Sequence, residues 1–453
     1  MKAAPQRLAV IGCGHVGLVT AAFFAEQGHV VAGIDVNARH VATLNAGRIP
    51  FWEPRLAELT STNLASGRLS FTTSFEQGLA GCSAAFLCVD TPGTSTGAAD
   101  LRHIREAARQ AASVLASRSA TPLIVNKSTS PIGTAETIES IVSRAFAASG
   151  VGPPHIVANP EFLREGHAVA DMFAPSRIVL GANQREDAEK IAQLYAGTTA
   201  PVLIVGLRAA EMIKYVSNSF LATRVSFVNE VARLCESLEI DADAVLTGAS
   251  LDPRIGNAFF QPGIGYGGSC LPKDVAALAH TGESWGVAMR VLSAVQQANL
   301  AQRKHAVNCI RRLLGGIEGR TIAAWGITFK GGTEDMRESP AVDVLALLRN
   351  DGAVVRLYDP SVCDGAAAAG LADHWCDSPL DAADGADAVV ILADWEEFRT
   401  VDLNAVRRRM RGTILYDGRN LLERDCVEAA GLYYQGIGRP MKRSLADVVE
   451  AAG

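Results

Sequence analysis

No stretch of this chain is apolar for long enough to cross a bilayer, which argues against a membrane-spanning role. A basic surplus is missing as well. The chain holds 42 Lys and Arg against 48 Asp and Glu, a formal net charge of −6, whereas a nucleic-acid binder usually carries the opposite sign. No basic amphipathic stretch suits a membrane surface. The nine cysteines are odd in number and none stands in a Cys-x-x-Cys pair, so their spacing supports neither a disulfide framework nor a zinc site. The opening residues, MKAAPQRLAVIGCGHVGLV, have a short apolar part broken by glycines and make a poor signal peptide. The expectation is a cytoplasmic protein without nucleic-acid, membrane or metal partners.

What is present is core-forming material. Hydrophobic residues make up 48% of the 453 and charged residues 20%, a balance that favours a large packed interior over disorder. The length points to two to four domains. RLAVIGCG, HVVAGID, AAFLCVDTP, PLIVNKSTSP and HIVANPE read as apolar strands between helices, the pattern of a parallel sheet covered on both faces. LVTAAFFAEQG is a helix that stops at Gly28. From about Leu207 a helical period dominates, first in LRAAEMIKYVSNSFLATRVSFVNEVARLCESLEI and again in WGVAMRVLSAVQQANLAQRKHAVNCIRRLLGG; helices this long often bridge domains or form dimer interfaces. From about Gly319 the alternation returns. RTIAAWGITF, AVVRLYDP, ADAVVILADW and GTILYDG are strands, and SPAVDVLALLRNDG is a helix with Ser339 as N-cap and Pro340 in its first turn. A small Ala/Gly patch near residue 366 reads as a loop or helix edge. The expected fold class is α/β: two Rossmann-like, doubly wound parallel-sheet domains joined by a helical central domain, with segments 1–200, 201–315 and 316–453.

GCGHVG follows a strand and opens a helix. In the pattern Gly12-x-Gly14-x-x-Gly17, the first glycine makes the tight turn and the second admits a pyrophosphate to the backbone. The third lets helix and strand pack, and the helix N-terminus faces the phosphates. Asp35 ends the next strand at the spacing of a ribose partner, and its charge would repel a 2′-phosphate. This favours NAD over NADP.

The second sheet has no such fingerprint. GITFKGGTEDMRESP instead brings Lys330 and Arg337 toward its C-terminal edge, suited to phosphate, unless this is an ordinary solvated loop. NPEFLREG sets Glu161 and Glu165 four residues apart; if helical, they share a face and form an acid pair, or simply a solvated one. EMIKYVSN gives Lys214 and Asn218 the same spacing. A lysine there would stabilise a developing alkoxide, or sit on the surface. KSTSPIGT ends a strand with Lys127, Ser128 and Thr129, whose hydroxyls would bind a water or a nicotinamide, or cap the next helix.

GIGYGGSCLPKD presents one thiol after a run of glycines. Gly265, Gly267 and Gly268 are read as clearing space for a bulky substrate at Cys270. Lys273 and Lys214 would favour the thiolate, and Asp274 would position a water or act as base. Oxidising an alcohol to a carbonyl needs no thiol. A thiol becomes useful when the aldehyde must be oxidised further: the thiolate adds, hydride leaves to give a thioester, and water releases the acid. Together with the dinucleotide fold, this suggests a four-electron oxidation using two NAD in turn.

In this order, GCGHVG, KSTSPIGT, NPEFLREG, AEMIKYVSNSFLAT, DPRIG, GIGYGGSCLPKD, FKGGTEDMRESP and YDGRN resemble the UDP-glucose/GDP-mannose dehydrogenase family over nearly the whole chain. The resemblance implies oxidation of UDP-glucose to UDP-glucuronate, with GDP-mannose or a UDP-N-acetylhexosamine as alternatives within the family. Carried over by position, Cys270 would be the nucleophile and Lys214 and Asn218 would stabilise the oxyanion. Asp274 and Thr129 would hold the water, Glu161 would assist thioester hydrolysis, and Glu165 would line the cofactor and sugar pocket. Phe162, Leu163, Phe259, Tyr266, Gly267, Lys330 and Arg419 match positions around the nucleotide sugar. Val16, Thr91, Thr129, Lys273 and Arg337 join Gly12, Gly14, Gly17 and Asp35 around NAD, with Arg337 serving the interdomain site. Arg254 matches an arginine that reaches a neighbouring subunit's sugar, which implies a homodimer or higher homo-oligomer. Three positions depart from the pattern: Asp90 replaces a usual glycine, His40 stands where Lys or Arg is common, with Arg39 before it, and Leu271 replaces a frequent phenylalanine. Outside this class stand a β-hydroxyacid dehydrogenase, needing neither Cys270 nor the second sheet, and a non-catalytic nucleotide-sugar sensor.

Overall fold

The computed structural model describes residues 4–118, 121–147, 149–362 and 370–440; the Ala/Gly patch near residue 366 lies outside them. Among the described residues the first sheet has eight strands: β1 (Arg7–Ile11), β2 (Val30–Ile34), β3 (Leu69–Thr72), β4 (Ala84–Leu87), β5 (Leu123–Asn126), β6 (Ile156–Ala158), β7 (Ile178–Ala182) and β8 (Val202–Val205). Their order is β3-β2-β1-β4-β5-β6-β7-β8. Alternation along β1 explains why it reads as continuously apolar. Leu8 and Val10 pack into one core while Ala9 and Ile11 pack into another on the opposite face, so both sides of the strand are buried.

One pairing differs from the expected parallel sheet. β6 and β7 are antiparallel, and β7 and β8 are parallel. A crossover back to the far end of the sheet needs a substantial helix. The β6–β7 connection offers only the six-residue helix Ala168–Phe173. The chain therefore re-enters from the end at which it left, which keeps residues 159–166 at the C-terminal edge of β6, where ligands gather in such sheets.

The second sheet is parallel throughout: β9 (Thr321–Trp325), β10 (Val354–Tyr358), β11 (His374–Trp375), β12 (Ala388–Ile391), β13 (Ile414–Asp417) and β14 (Tyr433–Gly436), ordered β11-β10-β9-β12-β13-β14. Ile322 and Ala324 again face one core and Ala323 and Trp325 another. Ser339 caps the helix Pro340–Asn350 by accepting from Ala341 N–H, as its sequence predicts. Strands β3, β7, β8, β11 and β14 escaped the sequence pattern: β8 is half-exposed and β11 only two residues long, whereas β7 is a buried five-residue strand.

The chain packs into two compact units. The first runs to Ser217 and takes in Ala276–Val287; the second comprises Asn218–Val275 and the chain from Ala288. The helices Leu207–Ser237 and Leu271–Ser284 contribute to both.

Candidate active site

In the first unit, the turn after β1 is built as the fingerprint requires. Gly12 adopts φ +89°, a left-handed conformation natural to glycine. A Cβ on Gly17 would lie 1.8 Å from the Gly12 carbonyl oxygen, so only a bare backbone lets helix and strand meet. Val16 is half-buried against the core behind the turn. The Asp35 carboxylate accepts from Cys13 N–H and Asn37 N–H, both at 2.9 Å. It retains acceptor capacity for ribose hydroxyls. A cavity of about 400 Å³ runs beside it, lined among others by Gly12, Gly14, Asp35, His40 and Asp90. This is a fitting cradle for an adenine dinucleotide. His40 donates from Nε2 to the Cys13 carbonyl at 2.9 Å, bracing the turn, while Asp90 is exposed at the cavity wall.

The loops after β4, β5 and β6 meet in a second cluster of this unit. Lys214 Nζ lies 3.0 Å from Glu161 Oε1, both side chains almost fully buried. Thr129 Oγ1 donates to the same oxygen at 3.4 Å, and Thr91 Oγ1 donates to the Thr129 carbonyl at 2.5 Å. Burial alone would raise the Glu161 pKa. Lys214, the Leu163 N–H and Lys127 outweigh it and hold the carboxyl below its ordinary value. The segment 160–164 is not helical, so Glu161 and Glu165 do not share a helix face. Glu161 instead folds back to accept from Leu163 N–H at 2.6 Å. Phe162 lies under two cations, with Arg177 at 3.7 Å and Lys214 at 5.4 Å from the ring centroid. Leu163 packs on the core, and Glu165 is half-buried beyond it.

In the second unit, Cys270 is partly exposed and immediately precedes the helix Leu271–Ser284, where the backbone dipole favours an anion. Asp274, one turn on, is fully buried. It accepts from Asn218 Nδ2 and from Lys273 Nζ, each at 2.6 Å. The preceding glycines are required by close packing as well. A Cβ on Gly267 would lie 2.3 Å from the Glu338 carbonyl oxygen, and one on Gly268 2.8 Å from the Phe329 ring. The glycines let the loop press against its own protein. Buried amide side chains hold that loop: Gly263 lies between Asn229 and Gln302, and Tyr266 exchanges two hydrogen bonds with Asn299.

The remaining predicted residues fall around this loop or apart from it. Arg419, following β13, donates to the carbonyls of Phe329 and Leu392 at 2.8 Å and reaches that of Gly265 at 3.5 Å. It ties the loops after β9 and β12 to the glycine run. Lys330 lies over the Phe329 ring, 5.6 Å from its centroid. The Arg337 carbonyl accepts from Gly268 N–H, while its side chain pairs with Asp335. Phe259 is exposed at φ +56°, a costly conformation for a non-glycine residue. Arg254 pairs with Asp252 on the surface and joins none of the clusters above.

Three family models match consecutive parts of the chain. They describe the NAD binding domain (residues 6–199), the central domain (208–301) and the UDP binding domain (323–424) of the UDP-glucose/GDP-mannose dehydrogenase family. The chain belongs to this family. The UDP-glucose 6-dehydrogenase of Pseudomonas aeruginosa is 42% identical over 96% of this chain and 98% of its own length. The Bacillus subtilis UDP-glucose 6-dehydrogenase TuaD is 38% identical over 97% of this chain and 94% of its own. A UDP-glucose dehydrogenase structure from Pyrobaculum islandicum superposes with a TM-score of 0.88 at 39% identity, covering 96% of this chain and 98% of that one.

Within this dehydrogenase fold, Glu211 and Glu53 were not anticipated, and Lys127 was named without a role of its own. Glu211, three residues before Lys214, accepts from Gly133 N–H and Ala135 N–H at 2.7 Å. It supplies the cap that helix Thr134–Phe146 lacks in its own sequence. Lys127 is buried and donates to Asn159 and Tyr195 at 3.3 Å. Glu53 gathers His15 Nε2 and Gly166 N–H, linking the dinucleotide turn to the loop after β6. A helical reading of EMIK puts Glu211 one turn from Lys214; nothing local marks Glu53. Burial pushes the Cys82 thiol up to about 11 and Cys88 to about 12, in keeping with inert core cysteines.

Proposed function

We propose that this chain oxidises UDP-glucose to UDP-glucuronate with two NAD, through a thioester on Cys270. The observation that carries the reading is the pair of clusters built around Lys214 and Cys270: Thr129, Glu161 and Lys214 in one unit, and Cys270, Asp274 and Asn218 in the other. Lys214 and Asn218 are one turn apart on a single helix. NAD, when bound, takes a hydride at each of the two oxidation stages. In the first stage the alcohol proton passes to the water held by Asp274 and Thr129, and Lys214 supplies positive charge to the oxygen it leaves. The Cys270 thiolate then adds to the aldehyde carbon, and loss of hydride from that adduct leaves a thioester. Water attacks the thioester carbonyl, the C–S bond breaks, and the thiol is released with a carboxylate product. Glu161, held ionised by Lys214, accepts the proton of that water. Lys273, Glu165, Arg337 and Thr91 complete the cofactor side; Phe162, Leu163, Phe259, Tyr266, Gly267, Lys330 and Arg419 bind the nucleotide sugar.

The same reading divides the chain by role into segments 1–200, 201–315 and 316–453, for cofactor, dimerisation with the cysteine loop, and UDP-sugar. It takes the enzyme as a cytoplasmic homodimer or higher homo-oligomer whose product feeds polysaccharide synthesis. Free buried cysteines support a reducing compartment, and among the described residues no helix is long and apolar enough to cross a membrane. An apolar stripe of Phe220, Phe227 and Leu234, each more than half exposed on one helix, supports a subunit interface.

Turnover of a nucleotide-sugar panel, followed by mass spectrometry and NADH absorbance, tests the assignment. UDP-glucose is expected to react best, with two NADH formed per sugar. One NADH per sugar would overturn the thioester route, and preference for GDP-mannose or a UDP-N-acetylhexosamine would reassign the substrate.

A further inference from the structure

Away from the residues above, a cluster in the second unit joins three metal-binding side-chain types. Glu236 stands near the C-terminal end of the helix Leu207–Ser237, and His305 and Cys309 lie one turn apart on the helix Arg290–Leu314. His305 Nε2 is 2.7 Å from Glu236 Oε2 and 3.4 Å from Cys309 Sγ. All three ligand atoms lie within 4.8 Å of one another. Tetrahedral zinc, with bonds of about 2.0 Å to N and O and about 2.3 Å to S, sets its ligand atoms roughly 3.3–3.6 Å apart. The nitrogen–sulfur spacing already fits, and the nitrogen–oxygen pair needs to open by about half an ångström.

A second observation points to the same place. Tyr416 on β13 is 1% exposed, and its hydroxyl has no hydrogen-bond partner among the described residues. Strand β13 packs against the helix that carries His305 and Cys309, and Tyr416 and Cys309 share one buried core. A buried hydroxyl left unpaired needs a reason; a fourth ligand position is one. The outer contacts also suit a metal. Gly438 N–H donates to Glu236 Oε1 at 2.7 Å, leaving Oε2 for the ion. Arg312 Nη2 lies 3.2 Å from Cys309 Sγ and would donate to a metal-bound thiolate. The side chains of His305 and Glu236 are 21% and 15% exposed, which leaves an ion a route in.

We propose that Glu236, His305 and Cys309 bind one zinc ion, with the Tyr416 hydroxyl at the fourth position. Mixed oxygen, nitrogen and sulfur donors in a compact tetrahedron select zinc over calcium or magnesium. The missing Cys-x-x-Cys pair speaks only to sites made from one local loop; this one is assembled from two helices and a strand. It owes nothing to the nucleotide-sugar reading, because none of its ligands serves that chemistry.

The test uses the full chain carrying Cys270→Ser, which removes the partly exposed thiol of the other cluster, after chelator dialysis. Zinc chloride titration is expected to give one tight equivalent per chain, and cobalt(II) a near-ultraviolet thiolate-to-metal band. Adding Cys309→Ala or His305→Ala should abolish the band and weaken zinc by more than the ~10–100-fold that loss of an outer partner costs. Adding Cys426→Ser should change neither. Zinc affinity equal in the Cys309→Ala chain would overturn the site. So would a cobalt complex of the Cys270→Ser chain without a thiolate band, a result that requires no ligand variant to fold.

Discussion

Glu211 is the side chain whose ionisation the fold disturbs most informatively. Glu211 is 4% exposed, and its carboxylate accepts from Gly133 N–H and Ala135 N–H. Burial outweighs those two donors and raises its pKa from an ordinary 4.5 to about 7. The folded chain thus holds this proton more tightly than the unfolded one. The contribution to stability is full below about pH 4.5 and is lost as pH rises through about 7. A move of that size corresponds to about 3 kcal/mol. The native chain should therefore lose about 2.5 kcal/mol relative to Glu211→Gln between pH 5 and pH 8, read from paired urea unfolding curves. A difference between the two proteins that does not vary with pH would show that Glu211 stays ionised throughout. The neighbouring Glu161 behaves oppositely because it has what Glu211 lacks, a buried lysine at 3.0 Å.

At the scale of elements, the cysteine loop is a segment whose path is dictated by close approach. Gly267→Ala places a methyl 2.3 Å from the Glu338 carbonyl oxygen and 2.7 Å from Pro340 Cδ. Backbone cannot yield that distance without moving the loop that ends at Cys270. A displacement near 1 Å at a reacting group costs about 100-fold in rate, so kcat should fall by about that factor. NAD binding to the first unit, measured by calorimetry, should not change. An alanine variant with native kcat would mean that the loop has slack. The glycines themselves were plain in the sequence, and so were the strands flanking the dinucleotide turn, because each is a local pattern of size and polarity. Their close packing against the rest of the chain was not. Asn229, Asn299 and Gln302, which hold the loop, lie more than thirty residues from their partners. In the sequence they look like ordinary polar helix residues, although the spacing of Asn299 and Gln302 sets them on one face. The reversed β6–β7 pair was hidden for a related reason. Strand direction depends on the length of the crossover, and the short helix Ala168–Phe173 carries no distinctive signal.

For the whole molecule, the outer face of the helix Leu207–Ser237 is the feature that asks for a second chain. Phe220, Phe227 and Leu234 recur every seven residues and are 60%, 56% and 59% exposed. Seven residues are close to two helical turns, so the three fall in one stripe. Scattered exposed apolar residues need no explanation, but an aligned stripe of large ones marks an interaction surface. A partner copy related by a two-fold axis would set the stripe against its own equivalent, since such an interface is self-complementary. Phe227→Glu puts one carboxylate from each subunit into that apolar seam, where an unpaired buried charge is strongly disfavoured. Within a single chain the side chain is exposed, so the substitution should alter folding stability by no more than about 0.5 kcal/mol. Sedimentation velocity is therefore expected to show a dimer for the native chain and a monomer for Phe227→Glu at micromolar concentration, with unchanged circular dichroism. If Arg254 serves the sugar of the neighbouring subunit, the monomer should also lose affinity for UDP-glucose, while Arg254→Ala should lose it without dissociating. A monomeric variant with native KM would separate the two ideas, keeping the apolar seam and removing Arg254 from the partner's site.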